Sequence, residues 1–485
     1  MNLKQLLHKV NVIKVVGEMR VEIYDIAFDS RKIKESSLFV AVKGMQSDGH
    51  SYVQQTIEAG AIAIVLEDMP SNLDSKATYI QVDDSNIALG IIAANFYDNP
   101  SEKIKLVGIT GTNGKTTVVS LLSQLFSILN VKVGMLSTIQ NRIINTIIPS
   151  NYTTPDSVQI NYLLNEMIKQ GCEYCFMEVS SHSIVQGRIS GLNFAGGVFT
   201  NLTQDHLDYH NTFSEYRDVK KSFFDALQET AFALINKDDK NGIKMLEGTK
   251  AKKRTYALKS GADYKCRVLE NQFEGMLLSI NKVDVWVKLI GDFNASNILS
   301  VYAVTHLFGF EDTQVLTALS MLIPVEGRFQ YLQSEEKVVA IVDYAHTEDA
   351  LKNVIETINS IRTNTEKLIT VGGCGGDRDK EKRPLMAAVA CNLSNQVILT
   401  SDNPRSENPD TIIKDMMEGL TSNEKKKALV ITDRREAIKT ACCLANANDI
   451  VLVAGKGHEK YQEINGEKFP FDDLEELKQS LNIII

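Results

Sequence analysis

Residues 105–126, KLVGITGTNGKTTVVSLLSQLF, combine an apolar run, a glycine-containing loop and an amphipathic segment. This pattern predicts a buried strand that turns through Gly111 and Gly114 into a helix beginning near Lys115. The N–H groups at such a helix N-terminus bind phosphate, the lysine can reach terminal phosphate oxygens, and Thr116 can ligate Mg²⁺. A strand, a loop and a helix in this order predict a nucleotide-phosphate site within a layered α/β fold.

The spacing of this loop departs from the strict P-loop pattern. That pattern places a glycine at the position where this chain has Ile109. The chain has only the shorter G-x-x-G-K-T sequence, from Gly111 to Thr116. The nearest match to a guanine-reading N-K-x-D sequence is NKDD at 236–239, which follows an apolar run. A GTPase is therefore a minor alternative, and the loop alone also leaves motors, switches and kinases open.

Strand-like apolar runs alternate with helical patterns along almost the whole chain, which predicts α/β layers with parallel sheets. A chain of 485 residues is too long for one core, and about two to four domains are expected. Sequence breaks at FYDNPSEK and IPVEGRFQ predict boundaries near residues 100 and 330. The predicted domains are residues 1–100, 101–328 and 329–485.

Composition narrows the class of protein. The net charge of −9 argues against a nucleic-acid-binding surface. No apolar run reaches the ~18 residues of a membrane span, and the first twenty residues do not have the features of a signal peptide. The seven cysteines have no framework spacing, which predicts reduced thiols in a cytoplasmic protein. Cys172 and Cys175 form an isolated C-x-x-C at the entry to an apolar strand, which we interpret as core.

Four apolar strands of the third segment end in glycine, charged or polar residues: VVAIVDYAH, LITVGGCGGDRD, QVILTSDNPR and IVLVAGKGHE. In open α/β sheets, ligands bind at the carboxyl ends of the strands. The turn at 401–405 is stiff because Pro404 fixes its own φ and restricts Asn403. We therefore expect Arg405 to be held at a ligand site.

Two further strands of the central segment end in titratable residues. Glu178 ends the strand in CFMEVSSH and is a natural Mg²⁺ ligand across a sheet from a phosphate loop. The following cluster in TNLTQDHLDYH predicts either a transition-metal site or a polar loop. We favour the loop for Asp208 and His210, and His206 is the better ligand candidate because it lies closer to the strand end.

A pair of adjacent lysines, Lys220 and Lys221, lies on the helix predicted for FSEYRDVKKSFF. Only one of two adjacent helical side chains can face the interior, and the other is ordinary solvated charge. The residues alone do not assign a function to either lysine.

Together these motifs resemble the Mur ligases, ATP-dependent amide-forming enzymes of peptidoglycan precursor synthesis. The motifs occur in the family's order and span the chain: GITGTNGKTT, MEVSSH, TNLTQDHLDYH, YRDVKK, GDFNASN, VDYAHT, GGCGGDRD, DNPR and GKGHE. Residues 28–44 also resemble the family's UDP-sugar-binding domain. Within the family, the chain is most similar to the type that adds the third residue of the stem peptide to UDP-N-acetylmuramoyl-L-alanyl-D-glutamate.

The resemblance implies a three-domain α/β architecture: a UDP-sugar-binding domain, a central ATP-binding domain of P-loop type and a Rossmann-like amino-acid-binding domain. It also implies use of ATP and a pair of Mg²⁺ ions, an acyl-phosphate intermediate and carbamylation of Lys220. Carbamylation requires a neutral amine, and hence a lowered lysine pKa.

The site residues that the resemblance implies fall into four groups. The catalytic residues would be Lys115, Glu178, His206 and Lys220, and the metal ligands would be Thr116, Glu178, His206 and carbamylated Lys220. ATP would contact Gly111, Thr112, Asn113, Gly114, Lys115, Thr116, Thr117, Arg328 and Asp343, with Asn294 or Asn297 near the adenine. The UDP-muramoyl-dipeptide would contact Ser30, Thr153, Thr154, Ser181, Gln186 and Arg188. The added amino acid would contact Arg378, Asp402, Asn403, Pro404, Arg405, Gly455 and Glu459.

The resemblance leaves two main choices for the added residue, L-lysine and meso-diaminopimelate, which differ by one carboxylate. A guanidinium binds a carboxylate bidentately, so Arg405 in DNPR favours diaminopimelate, and Glu459 suits its remote ammonium. The lysine-adding type remains the alternative, and folylpolyglutamate synthase, the D-Ala-D-Ala-adding ligase and a non-catalytic scaffold are more remote. We expect a cytoplasmic monomer with small-molecule substrates, no nucleic-acid partner and no membrane span.

Overall fold

The computed structural model describes residues 1–44, 47–150, 152–205, 209–210, 212–363 and 365–483. Strands and helices alternate along the chain and form α/β layers built on a separate sheet for each third of the molecule. The inner parallel strands of each sheet carry buried side chains in both directions, so both faces of the sheet are covered there. Examples are the strands Ala61–Leu66, Tyr174–Glu178, Val339–Asp343 and Ile450–Ala454.

In residues 1–44 and 47–100, five strands pair in the order β1-β5-β4-β3-β2. All pairs are parallel except the edge pair of β1 with β5. The strands are β1 (Val12–Val16), β2 (Asp25–Ala27), β3 (Ser37–Val40), β4 (Ala61–Leu66) and β5 (Thr78–Val82). The helices are α1 (Leu3–Leu6), α2 (Val53–Glu58) and α3 (Ser85–Phe96), with short 3₁₀ turns at Ser30–Lys32, Gly49–Tyr52 and Pro100–Glu102.

The central sheet has eleven strands among the residues described between 105 and 287. They are β6 (Lys105–Thr110), β7 (Val133–Leu136), β8 (Asn141–Ile143), β9 (Thr146–Ile148), β10 (Tyr174–Glu178), β11 (Gly196–Phe199), β12 (Phe232–Asn236), β13 (Lys252–Ala257), β14 (Tyr264–Gln272), β15 (Gly275–Ile280) and β16 (Val283–Val287). The order is β16-β15-β14-β13-β12-β11-β6-β10-β7-β8-β9, parallel from β14 to β7 and antiparallel at both edges.

Helices pack on both faces of the central sheet. They are α4 (Lys115–Ile128), α5 (Ser157–Lys169), α6 (Ser181–Val185), α7 (Phe213–Asp225), α8 (Gly242–Met245), α9 (Asp292–Leu307) and α10 (Asp312–Ser320). Alternate residues of β10 enter opposite cores: Phe176 packs with the α4 side and Met177 with the α7 side. Burying each such side chain contributes about 1.5–3 kcal/mol, which fixes the register of the sheet.

The third sheet has strand order β17-β18-β22-β19-β20-β21 in the described part of 330–454. Its strands are β17 (Gln330–Gln333), β18 (Val339–Asp343), β19 (Leu368–Gly372), β20 (Gln396–Leu399), β21 (Ala428–Val430) and β22 (Ile450–Ala454), and β23 (Tyr461–Ile464) with β24 (Glu467–Pro470) form a separate hairpin. The helices are α11 (Glu348–Ile361), α12 (Lys382–Leu393), α13 (Pro409–Glu418), α14 (Ser422–Lys425), α15 (Arg434–Leu444) and α16 (Asp473–Ser480). Only β17 runs antiparallel to its neighbour among these described pairs.

Parallel pairing brings the polar strand ends together. In the central sheet, β6 pairs with β10 and β11, so Thr110, Glu178 and Phe199 end at the same edge. In the third sheet, β18, β19, β20 and β22 are parallel, so the residues that follow them share an edge too. This is the arrangement expected at a ligand site in an open α/β sheet.

The domain boundaries near residues 100 and 330 stay a prediction.

No helix in the described part of the chain is both long enough and apolar enough to cross a membrane.

A buried ion pair ties the last helix to the third sheet. Arg434 and Asp473 are fully buried, and the guanidinium donates to both carboxylate oxygens at 2.7 Å and to the Ala454 carbonyl at 2.9 Å. We expect Arg434→Met to lower the free energy of unfolding by about 3 kcal/mol, because the Asp473 charge stays buried without a partner.

Differential scanning calorimetry measures this effect. The double variant Arg434→Met with Asp473→Leu is the control, since removing both charges should restore most of the stability. A single variant as stable as the unchanged protein would contradict the prediction.

Candidate active site between the central and third domains

The phosphate loop connects β6 to α4 through two glycines with positive φ. Gly111 has φ +153° and Gly114 has φ +85°. A Cβ at Gly111 would overlap Thr200 Oγ1, and a Cβ at Gly114 would lie 2.8 Å from Asn297 Oδ1. Glycine at both positions lets the loop pack tightly against β11 and α9, and α4 then begins at Lys115.

Polar side chains from the segment after β11 fix the loop. Thr200 Oγ1 donates to the Asn113 carbonyl at 2.6 Å, and Asn201 Oδ1 accepts from the Asn113 N–H at 2.9 Å. Thr112 Oγ1 accepts from the Thr203 N–H at 3.0 Å. The loop is therefore pre-organised by contacts 87 to 91 residues away in sequence.

Two lysine amines converge on one backbone oxygen. Lys115 Nζ and Lys220 Nζ donate to the Gly111 carbonyl at 2.9 Å and 3.0 Å. Burial lowers the pKa of both amines, and the Lys115 charge lowers the pKa of Lys220 further, although Asp205 opposes this. The neutral form of Lys220 is therefore favoured beside the Lys115 amine.

Adjacent Lys221 takes the solvated position predicted for one of the two lysines. Its amine pairs with Asp225 at 2.7 Å one helical turn later, whereas Lys220 is only 1% exposed. The helix α7 thus presents Lys220 to the phosphate loop and Lys221 to solvent.

Glu178 is a fully buried carboxylate at the end of β10. It accepts hydrogen bonds from Thr116 Oγ1 at 3.0 Å, Ser137 Oγ at 2.8 Å and the Thr138 N–H at 2.7 Å. These contacts hold an anionic oxygen pair beside the first turn of α4. A carboxylate and a threonine hydroxyl at a phosphate loop are donors of the type that Mg²⁺ prefers.

Across the cavity, the turn after β20 forms a closed polar network with the segment after β22. Asn403 Nδ2 donates to Glu459 Oε2 at 2.8 Å, and Lys456 Nζ donates to Asn403 Oδ1 at 2.9 Å and to Glu459 Oε2 at 3.2 Å. Burial and the Asp402 charge raise the pKa of Glu459, and Lys456 opposes that rise. Gly455, with φ +118°, lets the chain pass close to Asp402.

Arg405 lies at the rim of the same network. Its Nη1 donates to the Gly376 carbonyl at 2.7 Å and its Nε lies 3.4 Å from Glu463 Oε2. The Pro404 carbonyl lies close to Gly376, where an added Cβ would overlap it. Arg405 itself has φ +50°, an uncommon conformation for a residue with a side chain, which the sequence did not predict.

The junction between the central and third domains is polar. Arg328 stacks 4.4 Å above the Tyr344 ring and donates to Thr116 Oγ1 at 3.3 Å. Asp343 accepts hydrogen bonds from the Phe329 and Ala345 N–H groups, both at 2.7 Å. These two residues directly follow Arg328 and Tyr344 in the chain, so Asp343 supports the contact between Arg328 and Tyr344.

One cavity of about 460 Å³ joins the phosphate loop to the Asp402–Arg405 turn. Most of the predicted site residues line it together: Thr112, Asn113, Gly114, Lys115, Thr116, Thr153, Thr154, Glu178, Ser181, Arg188, Lys220, Arg328, Arg378, Asp402, Asn403, Arg405, Gly455 and Glu459. These residues come from separate motifs of the sequence, and the fold places them around one space.

The predicted peptide-binding residues form one wall of the cavity. Thr154 Oγ1 donates to the Glu178 carbonyl at 2.8 Å, and Arg188 donates to the Thr154 carbonyl at 2.7 Å. Gln186 lies behind Arg188 and accepts from its Nε at 3.0 Å. The Ser181 hydroxyl is buried at the start of α6 and has no hydrogen-bond partner among the described atoms.

Some predicted residues lie outside the cavity lining. The cavity lining does not include Gly111, Thr117, Pro404, Gln186 or Asp343, although each is next to or bonded to a lining residue. Asn294 and Asn297 are buried behind the loop, where Asn297 donates to Asn294 at 3.2 Å. Ser30 belongs to the first domain, and His206 and Asp208 lie outside the described residues.

The NKDD sequence and the Cys172–Cys175 pair, which are alternative sites in the sequence, make structural contacts. Asp238 of the NKDD sequence accepts from the Leu258, Lys259 and Ser260 N–H groups, and Asp239 accepts from that of Leu202. In the described residues, no group of three or more His, Cys, Asp or Glu side chains is arranged to hold a metal. Cys172 and Cys175 are buried free thiols in the core beside β10.

Some residues that line the cavity or contact the phosphate loop were not singled out from the sequence. His346 follows β18 and lines the cavity with Lys382, and burial together with the Lys382 charge lowers its pKa to about 4. Asp349, in the first turn of α11, accepts from Asn113 Nδ2 at 3.1 Å across the domain junction. In the sequence, His346 and Asp349 belong to the polar segment that follows VVAIVD, which marks them as residues after a strand end. Their contacts with the phosphate loop and the cavity depend on the position of the third domain.

Three family models match the chain: "Mur ligase family, catalytic domain" at residues 22–97, "Mur ligase middle domain" at 109–305 and "Mur ligase, glutamate ligase domain" at 327–457. Together they cover most of the chain and include the phosphate loop, Glu178, Lys220 and the Asp402–Arg405 turn.

Full-length relatives carry one common name, UDP-N-acetylmuramoyl-L-alanyl-D-glutamate–2,6-diaminopimelate ligase. The protein from Cytophaga hutchinsonii is 51% identical over 100% of both chains, and that from Phocaeicola vulgatus is 53% identical over 99% of both. A solved structure of a ligase with this name is 32% identical and matches with a TM-score of 0.69 over 99% of both chains. The chain belongs to the Mur ligase family, with its three-domain α/β architecture.

Proposed function

We propose that this chain is the ATP-dependent ligase that adds meso-2,6-diaminopimelate to UDP-N-acetylmuramoyl-L-alanyl-D-glutamate in peptidoglycan precursor synthesis. The observation that carries the proposal is one cavity lined both by a phosphate loop and by the Asp402–Arg405 turn. Full-length relatives at 51–53% identity with that activity in their names support it.

The reaction joins two chemical steps at this cavity. The free carboxylate of the dipeptide attacks the γ-phosphorus of ATP, forming an acyl phosphate and releasing ADP. The amino group of the incoming amino acid then attacks the acyl carbon, and loss of phosphate and a proton leaves the amide. Phosphoryl transfer depends mainly on alignment and on neutralising charge. Lys115 and Arg328 place cationic groups around the phosphate loop for that purpose.

The donor set beside α4 fits Mg²⁺, which would neutralise phosphate charge when bound. Thr116 Oγ1 and the Glu178 carboxylate supply hard oxygen donors within 3.0 Å of each other. His206 is a further proposed ligand and lies outside the described residues.

Lys220 fits this set as a carbamate. A lowered amine pKa leaves a larger fraction of Lys220 neutral near pH 7, which is the form that combines with CO₂ and releases a proton. The carbamate carries a negative charge, so it would replace repulsion between Lys115 and Lys220 with attraction. It would also add oxygen donors opposite Glu178.

The Asp402–Arg405 turn supplies the groups that distinguish diaminopimelate from lysine. Arg405 would bind the carboxylate that lysine does not have, and Glu459 would accept the remote ammonium. Arg378, which lines the cavity and is exposed, would assist at a carboxylate. A site built around such polar partners can reject the analogue that does not carry the carboxylate by about 10⁴-fold.

The remaining assignments belong to the same proposal. Ser30 would contact the uridine, the wall around Thr154 and Arg188 would hold the muramoyl-peptide, and Asn294 or Asn297 would lie near the adenine. The domains would cover residues 1–100, 101–328 and 329–485. We further propose that the protein acts as a cytoplasmic monomer.

Phosphate release tests the substrate assignment. With ATP and UDP-muramoyl-dipeptide, we expect release to depend on meso-diaminopimelate and to be far slower with L-lysine. Arg405→Ala should lower kcat/KM for meso-diaminopimelate by about 100-fold, since a charge-assisted pair is lost. Release without any amino acid, or a preference for lysine, would contradict the assignment.

The phosphate loop gives a second prediction. Gly111→Ala should raise the KM for ATP by about tenfold or more, because the added methyl overlaps Thr200 and the backbone is strained. Gly261→Ala is the matched control, since no described heavy atom lies within 4 Å of a Cβ there. Equal KM values for the two variants would exclude the proposed packing role.

Lys220 gives a third prediction. Lys220→Ala should abolish ligation, and added short carboxylic acids should restore part of it by supplying the missing oxygens. Lys221→Ala should keep its activity, because that amine forms only a surface pair with Asp225. Full activity of unassisted Lys220→Ala would remove the carbamate from the proposal.

A further inference from the structure

The turn at residues 401–405 is held by a strand that lies about sixty residues later in the sequence. Gln462, in β23, donates from Nε2 to the Asp402 carbonyl at 2.7 Å and to Ser401 Oγ at 3.3 Å. Its side-chain amide therefore braces the first half of the turn.

The next residue of β23 braces the second half through its backbone. The Glu463 N–H donates to Asn403 Oδ1 at 2.9 Å, and the Glu463 carbonyl accepts from the Arg405 N–H at 3.0 Å. The Arg405 carbonyl in turn accepts from the Asn465 N–H at 2.7 Å. Each residue from Ser401 to Arg405 except Pro404 thus contacts β23 or the turn after it.

These contacts account for the conformation of Arg405. A residue with a side chain keeps a positive φ only where surrounding contacts over-determine it. Arg405 has φ +50° and is bonded to the hairpin through both its N–H and its carbonyl. Pro404 stiffens the turn, but the hairpin decides in which direction the Arg405 side chain leaves it.

We infer that strand β23 positions the amino-acid-binding turn and that Gln462 is a positioning residue for amino-acid selection. The inference rests on the proposed function, in which this turn binds diaminopimelate. Gln462 does not line the cavity, so it would act through Asp402 and Asn403, which do.

The Asp402 carbonyl receives its hydrogen bond from the Gln462 amide. Asp402 and Asn403 are 9% and 3% exposed, so their backbone has little access to water. Without the Gln462 amide, the Asp402 carbonyl would have to turn toward another donor. That movement would shift Asn403 and Arg405 relative to Glu459, while the phosphate loop in the central domain would keep its own contacts.

The test is Gln462→Leu in the full-length enzyme, with separate kinetics for each substrate. We expect the KM for meso-diaminopimelate to rise about tenfold, the effect of losing a hydrogen bond to a buried group. The KM for ATP and for UDP-muramoyl-dipeptide should change less than about twofold, and the preference for meso-diaminopimelate over L-lysine should fall. This split between substrates would not result from a general loss of structure.

Glu467→Gln is the matched control. Glu467 lies on β24 of the same hairpin, pairs with Ile464 through its backbone and has an exposed side chain. We expect its three KM values to equal those of the unchanged enzyme.

A second variant keeps the test decisive if Gln462→Leu is poorly folded. Gln462→Asn keeps an amide but shortens it, and should raise the same KM by a smaller factor at unchanged melting temperature. A KM for meso-diaminopimelate equal to that of the unchanged enzyme in the folded variant would overturn the inference. If the unchanged enzyme itself shows no preference for meso-diaminopimelate, the proposed function fails first, which is a separate result.

Discussion

The site depends on Glu178, a carboxylate that is fully buried in the core of the central domain. A buried carboxylate is tolerated only where hydrogen-bond donors replace water, and here the donors are Thr116, Ser137 and Thr138. They come from α4 and from the end of β7, so the carboxylate joins the phosphate helix to two strands of the central sheet. The parallel order of β6, β10 and β7 is what brings these three segments to one edge.

Basic side chains gather on the other side of the loop. Lys115 and Lys220 share the Gly111 carbonyl, and Arg328 reaches Thr116 from the junction. Burial and the neighbouring Lys115 charge lower the pKa of Lys220, so the crowding favours loss of its proton. Asn113 connects the same loop to Asp349 of the third domain. The phosphate loop and the third domain are thus joined by polar contacts at one junction.

Sequence reasoning predicted Arg405 as a ligand-binding residue and explained its stiffness by Pro404. The structure adds a second constraint on this turn, a set of hydrogen bonds to the β23 hairpin. Hydrogen bonds from Gln462 and Glu463 to the turn depend on pairing between distant segments. Local rules for proline describe φ at one residue and its neighbour. They cannot predict a positive φ at Arg405, which is set by a strand sixty residues away.

The sequence by itself determined the α/β class, the phosphate loop with its two glycines, and the polar ends of the strands, because these follow from periodicity and local backbone chemistry. It also predicted that only one of Lys220 and Lys221 faces the interior, without deciding which. Only the tertiary structure decided that Lys220 meets Lys115 at one carbonyl, that His346 and Asp349 join the site, and that Gln462 braces the turn. The physical reason is that these contacts join residues far apart in the chain, and their distances are fixed by sheet order and domain packing.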